Sequence, residues 1–76
     1  MNDGWPAGRT PRLGTVTSFE EDRGLGTVTD EGGSSFAFHC TAIADGTRAV
    51  DVGRLVLFVV RPGHRGRLEA RQVVKR

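Results

Sequence analysis

The sequence predicts an all-β domain in which five short strands close into a small barrel. Apolar residues at helical spacings of three and four never persist for ten residues, so no long helix is expected. Instead, β-branched and threonine-rich runs alternate apolar and polar residues between glycine and aspartate, which is typical of strands joined by turns. A chain of 76 residues makes one domain at most, and closing the strands into a barrel leaves no exposed strand edge.

Three strands are predicted in the first half of the domain. Residues 13–19 are β-branched and rich in threonine, and the mostly acidic cluster at 20–23 turns the chain into a second strand at 24–29. Residues 30–34 contain two glycines, which supply the positive φ of a hairpin loop. The third strand is predicted at 35–40.

The second half supplies the two remaining strands. Thr41 caps one helical turn, which is too short to make a stable helix. After a connection, residues 54–61 give the strongest strand pattern, which Pro62 and Gly63 end, and residues 67–74 form the fifth strand after a basic turn. Period-two alternation, together with the order of the motifs given below, predicts that these side chains lie inside the barrel: Val16, Val28, Phe36, Phe38, Ile43, Val56, Phe58 and Val60.

The N-terminal segment differs from the rest of the chain. Residues 1–11 contain two glycines, two prolines and no periodicity, so we expect a disordered tail. The domain itself is expected over residues 12–76.

Composition excludes several classes of protein. The single cysteine, Cys40, excludes an internal disulfide and a cysteine-based zinc site, so the cytoplasm is the expected compartment. No apolar stretch approaches the ~18 residues of a membrane span, and no signal-peptide pattern is present. His39 and His64 lie in different elements, and no nucleophile turn or phosphate-binding glycine loop occurs. We therefore expect no enzyme, metal or cofactor.

Charge is unevenly distributed along the chain. The net charge is +2, yet residues 1–38 carry three arginines against six acidic groups, and residues 39–76 carry eight basic against three acidic groups. A basic cluster at one end of a chain is typical of phosphate contacts. It is equally compatible with a solvated surface that keeps a small domain in solution.

Several short motifs, in this order, resemble the bacterial cold-shock domain, a five-stranded OB-fold barrel. The resemblance runs from about Leu13 to Val74 and rests on GTV at 14–16 followed by Phe19, RGLGTV at 23–28, FAFHCTAI at 36–43, and Gly53 with VLF at 56–58. It implies that aromatic side chains on one sheet face stack on the unpaired bases of single-stranded RNA or DNA, beside a basic rim.

This sequence departs from the family at most of the aromatic positions. The residues standing where the family has rings are Ser18, Leu25, Thr27, Ala37 and Cys40, so that only Phe19 and His39 remain aromatic. We therefore expect non-catalytic, weak and sequence-tolerant binding dominated by charge. The expected contact residues are Phe19, Arg23, Leu25, His39, Arg65 and Arg67.

The fourth strand is apolar on both faces. If Val56, Phe58 and Val60 face the core, the residues that face outward are Leu55, Leu57 and Val59. A strand of this kind is normally covered on both sides, here by a second copy in a weak homodimer, by another partner, or by the tail with Trp5 or a long loop. The remaining alternative is a stripe that stays exposed without a function. The alternative function is thus a protein-interaction or homodimer module that keeps the barrel without binding nucleic acid.

Overall fold

The computed structural model describes residues 10–76, so the expected disorder of the tail and the position of Trp5 lie outside the described residues. The strands are β1 (Arg12–Glu20), β2 (Leu25–Asp30), β3 (Ser35–His39), β4 (Leu55–Pro62) and β5 (Leu68–Lys75). Two 3₁₀ turns, Cys40–Ala42 and His64–Gly66, follow β3 and β4. Within the described part of the chain, no helix is long and apolar enough to cross a membrane.

The five strands form a closed barrel in the order β1-β2-β3-β5-β4, which confirms the predicted fold class. Four of the seams are antiparallel, and β3 pairs with β5 in parallel. These directions place the β2–β3 loop and the β4–β5 turn at one end of the barrel, which we call the lower end. The β1–β2 turn and the 3₁₀ turn after β3 lie at the other, upper end.

The interior is apolar and close to the predicted set. Seven of the eight residues expected inside are buried. Val60 is the exception, because it is half-buried and packs against the core from its margin. Val50, Ala70 and Val73 complete the core cluster.

An irregularity in the β4–β5 pairing changes the outer side of β4. Leu57 pairs with Val74 and Val59 with Arg71, so β5 contains one residue more than β4 between these pairs. Gln72 lies in this stretch with φ of 51°. A bulge twists and bends the strand pair locally, so simple alternation does not predict exposure here. Val59, predicted to face outward with Leu55 and Leu57, pairs with the exposed Arg71 and is not part of the core cluster, yet it is only 1% exposed. The outward stripe is therefore already covered at this position.

Gly26 allows two strands to pack closely around a core ring. It pairs with Phe38 in the β2–β3 ladder, and a Cβ at this position would lie 2.6 Å from Cζ of Phe38. Because any larger residue would collide with this ring, the second glycine of the RGLG motif is a packing requirement.

The carboxylate of Asp30 links the β2–β3 loop to the start of β1 at the lower end of the barrel. Its Oδ1 accepts hydrogen bonds from the backbone N–H groups of Gly32 and Ser34, both at 2.9 Å. Its Oδ2 accepts one from Arg12 at 3.0 Å. The bond from Ser34 is the largest of the influences that lower the pKa of Asp30, and partial desolvation opposes them.

A second carboxylate ties the loop before β4 to the end of β5. Asp45 Oδ1 accepts from the backbone N–H of Thr47 at 3.0 Å and from its hydroxyl at 2.8 Å. Lys75 lies 3.1 Å from Oδ2. These contacts, with the Thr47 backbone bond first, lower the pKa of Asp45 to about 2.

Candidate nucleic-acid interface

The outer face of β1, β2 and β3 carries the positions at which the cold-shock resemblance would place aromatic rings. Ser18 pairs with Thr27, and Thr27 pairs with Ala37, so their side chains form one row across the strands. Ser18 and Ala37 are exposed, and Thr27 is half-buried. The centre of this face is therefore open to solvent and contains only small side chains.

The next row, nearer the upper end, and the turn beside it contain three of the six predicted contact residues. Glu20, Leu25 and His39 are paired in succession, and Leu25 is 40% exposed. Arg23, in the β1–β2 turn, places Nη1 3.3 Å from Oε1 of Glu20. Such an exposed ion pair contributes only about 0.2–1 kcal/mol, so Arg23 can leave Glu20 for a phosphate at little cost.

His39 has a structural and a surface role. Its Nδ1 accepts a hydrogen bond from the backbone N–H of Thr41 at 3.2 Å and thereby caps the 3₁₀ turn Cys40–Ala42. The prediction of Thr41 as the cap is wrong, because the turn begins one residue earlier. With Nδ1 accepting, the proton of the neutral ring lies on Nε2. The exposed ring thus offers a donor to a ligand.

Hydroxyl groups dominate the face toward its lower end. The Oγ1 atoms of Thr17 and Thr29 lie 3.2 Å apart, and Thr29 Oγ1 lies 2.9 Å from Oγ of Ser35. Thr17 also donates to the backbone carbonyl of Thr27 at 3.3 Å. These hydroxyls keep spare hydrogen-bonding capacity for base edges or phosphates, but they provide no stacking surface.

A depression of about 230 Å³ occupies the face where aromatic side chains would otherwise stand. It is lined by Ser18, Glu20, Arg23, Leu25, Gly26, Thr27, Ala37 and Phe38. Its walls combine a cation, a carboxylate and the apolar surface of Leu25. A planar base can contact this surface, although no exposed ring meets it from the protein side.

Phe19 is directed toward the barrel more than toward the face. It pairs with Gly26 and packs against the core, with its ring stacked on Phe38 at a centroid distance of 6.0 Å and an interplanar angle of 13°. The ring is half-buried. Only its exposed part is available for the predicted base contact.

The two arginines of the predicted basic rim lie far along the barrel from the other contact residues. Arg65 is in the β4–β5 turn with φ of 58°, and Arg67 directly precedes β5, so both lie at the lower end. Both are exposed. Arg23, Leu25 and His39 lie toward the upper end, so the structure separates the predicted site into two groups.

On the outer side of β4, the expected stripe is only partly exposed. Leu55 is 44% exposed, Leu57 is half-buried and Val59 is buried. The strand partners of Leu57 are Leu13 and Val74, which are also half-buried. The apolar surface that remains for a partner therefore consists of Leu55 with parts of Leu13, Leu57 and Val74.

A further groove was not found from the sequence. It has a volume of about 610 Å³ and is lined by Thr41, Ala42, Ile43, Ala44, Arg61, Arg71 and Gln72. The sequence indicated only that a basic cluster exists near the C-terminus. Which of its arginines share a groove depends on the β3–β5 pairing, which links residues far apart in the chain.

Metal chemistry finds no support in the described residues. Among residues 10–76, no three or more His, Cys, Asp or Glu side chains are grouped so that they could hold a metal ion.

Two curated proteins are similar to this chain over most of its length, whereas no protein-family model matches it. Cold shock-like protein CspA of Shewanella violacea is 43% identical over 63 residues, which cover 80% of this chain and 89% of that protein. Cold shock-like protein CspE of Bacillus anthracis is 40% identical over 63 residues, with coverage of 82% and 92%.

Proposed function

This chain belongs to the cold shock-like protein family, and from that premise we propose that it binds single-stranded RNA or DNA weakly and with little sequence preference. Family membership implies non-catalytic nucleic-acid binding of the cold-shock type. The observation that supports weak binding is the outer face of β1–β3, where Ser18, Thr27 and Ala37 form the central row. We propose the cytoplasm as the compartment of this protein, because single-stranded nucleic acids are found there.

The replacement of stacking residues lowers the expected affinity. A base stacked on an aromatic side chain is worth about 1–3 kcal/mol, and five of the family's ring positions are occupied here by non-aromatic residues. Leu25 offers apolar contact, and His39 offers one ring with an Nε2–H donor. Hydrogen bonds from hydroxyls to base edges compete with water, so they recover little of the missing energy.

Electrostatic attraction supplies the remaining affinity. Within residues 10–76 neither Arg65 nor Arg67 has an ion pair, so both charges are available to phosphates. Contacts of this kind are independent of base sequence and weaken as salt increases. The proposed binding is therefore sequence-tolerant and strongly salt-dependent.

The direct test is a titration of labelled oligo-uridine and oligo-deoxythymidine at several salt concentrations. Arg65→Gln with Arg67→Gln should weaken binding to both strands and flatten the logarithmic salt dependence by about 0.7 for each phosphate that the protein no longer neutralises. Arg48→Gln with Arg76→Gln removes the same charge from exposed sites outside the predicted contact set, and is the matched control. Nanomolar, salt-insensitive binding would contradict the proposal, and so would equal decreases in affinity in the two double variants.

A weak homodimer through β4 is a second proposal, supported by the exposed Leu55 beside Leu57. Buried apolar area contributes about 25 cal/mol per Å², whereas association costs about 4–15 kcal/mol in rigid-body freedom. With Val59 already buried, the patch supports self-association only at high concentration.

Leu57→Lys tests this interface, because a two-fold contact would bring two like charges together. In sedimentation over a concentration series, we expect the wild-type protein to self-associate near millimolar concentration and Leu57→Lys to stay monomeric. Val52→Lys, at an exposed position outside the patch, is the control and should behave as the wild type. If the wild-type protein remains monomeric at every concentration, the dimer proposal is wrong.

A further inference from the structure

The open face of β1–β3 continues around the barrel onto β5 and β4. Ala37 on β3 pairs with Glu69 on β5, and Glu69 pairs with Arg61 on β4. Directly paired residues project to the same side of a sheet, so the row that contains Thr27 and Ala37 extends to Arg61. Ala37 contributes only a methyl group to this row, and Glu69 is half-buried.

The groove beyond Glu69 presents several hydrogen-bond donors. Arg61, Arg71, Gln72 and Thr41 line it together with the backbone of the 3₁₀ turn after β3. Arg71 donates from Nη2 to Oε1 of Glu69 at 3.0 Å. A guanidinium has five N–H donors in a planar fork, so this ion pair orients Arg71 and leaves donors for another anion.

The β5 bulge brings two neighbouring polar residues to the groove. In a regular strand Arg71 and Gln72 would face opposite sides, yet both are exposed and both line the groove. The positive φ of Gln72, 51°, marks the point where alternation is broken. Bulges commonly re-aim side chains at binding sites. Here the result is an amide beside a guanidinium.

One short contact links the groove to the face. Nδ1 of His39 lies 2.9 Å from the hydroxyl of Thr41. His39 belongs to the face and Thr41 to the groove wall. His39 and Thr41 therefore place the edge of the face next to the wall of the groove.

We propose that this groove binds the sugar–phosphate backbone of the strand where it leaves the β1–β3 face, an inference that rests on the proposed function. Arg61 and Arg71 contact phosphates, and Gln72 and Thr41 donate hydrogen bonds to phosphate or sugar oxygens. Guanidinium forks match the geometry of phosphate oxygens, and two of them line this groove. The contacts do not read base sequence.

Strand length separates this inference from the proposed function. OB-folds bind about 4–16 nucleotides, so a strand of about four nucleotides covers the face alone and one of about eight reaches the groove. In nitrogen-edited NMR titrations with oligo-uridine, we expect the longer strand to shift the side-chain amide of Gln72 and the Nε–H signals of Arg61 and Arg71. The shorter strand should shift only signals of the face, such as those of Leu25 and His39.

Substitutions test whether the groove adds affinity. Arg61→Gln with Arg71→Gln should weaken binding of the longer strand by about five- to tenfold and flatten its salt dependence by about 1.4, with no change for the shorter strand. Arg61→Lys with Arg71→Lys keeps the charges and should retain most of the affinity. Arg48→Gln with Arg76→Gln is the charge-matched control.

The possible outcomes distinguish the two proposals. The groove inference is wrong, and the proposed function stands, if both oligonucleotides shift only NMR signals of the face. The same holds if the double variant of Arg61 and Arg71 binds as tightly as the control. If neither strand shifts any signal at millimolar concentration, both are wrong. Near-ultraviolet circular dichroism that matches the wild type shows that each variant keeps its fold.

Discussion

The β1–β3 face and the β4–β5 hairpin differ in what they offer a nucleic acid. The face is built from small and hydroxyl-bearing side chains, and its one cation, Arg23, is paired with Glu20. The hairpin carries five of the eleven basic residues, Arg61, Arg65, Arg67, Arg71 and Lys75, against one acidic residue, Glu69. The face offers an open surface to bases, and the hairpin offers positive charge to phosphates.

The location of the aromatic rings explains this division. All four phenylalanines of the sequence lie in the core or pack against it, including the half-buried Phe19. Stacking needs direct contact, whereas charge acts over about 8–10 Å at ordinary ionic strength. The phenylalanines therefore stabilise the barrel, and the proposed electrostatic binding relies on charges that lie mostly on another part of the surface.

The largest expected effect comes from truncating a side chain of the core on which both regions pack. Phe58→Ala should lower the free energy of unfolding by about 3–5 kcal/mol, as for other buried phenylalanines. That is comparable to the whole net stability of so small a domain, about 3–5 kcal/mol. Urea unfolding measures it, with Leu55→Ala on the same strand as the exposed control. Equal destabilisation in the two variants would contradict the assigned burial.

Adding aromatic side chains to the β1–β3 face should make this face a stronger binding surface than the β4–β5 hairpin. In Ser18→Trp with Leu25→Phe and Thr27→Phe, each stack regained is worth about 1–3 kcal/mol, so even one corresponds to about 5- to 150-fold tighter binding. Fluorescence titration with oligo-uridine measures the gain. Val52→Phe with Leu55→Phe places rings outside the face and should give none. An unchanged affinity in the triple variant would show that bases do not contact this face.

The smallest effect concerns acid stability, where each region has one carboxylate of lowered pKa. Asp30 lies beside the β1–β3 face, and Asp45 contacts Lys75 of β5. A carboxylate whose pKa is lower in the folded state stabilises it above the unfolded pKa of about 3.8, and this stabilisation disappears as pH falls through the folded value, which is about 2 for Asp45. The wild-type protein should therefore become less stable between about pH 4 and pH 2.

Asparagine at either position keeps an acceptor oxygen and removes the titration. Thermal unfolding measured at a series of pH values should show a smaller loss of stability in acid for Asp45→Asn than for Asp30→Asn. The control is Asp51→Asn, whose acid limb should match that of the wild type. A wild-type limb that stays level down to pH 2 would contradict the assigned hydrogen bonds.

The sequence by itself determined the strands, the core and the family resemblance. Alternation with period two placed seven of the eight predicted core residues correctly, because a buried face leaves little freedom in register. Strand ends differ from the predicted ones by at most one residue, as at β2, which begins at Leu25 instead of residue 24. The replacement of rings by Ser18, Thr27 and Ala37 was also visible from motif order alone.

Only the tertiary structure decided how the surfaces are joined. The parallel β3–β5 pairing brings Ala37 beside Glu69 and thereby connects the face to Arg61, which no local pattern indicates. The β5 bulge at Gln72 brings the neighbouring residues Arg71 and Gln72 to one groove, which alternation along a strand does not predict. Local sequence specifies which side of a strand is apolar, whereas closure of the barrel and the bulge fix which strands are neighbours and which side chains share a groove.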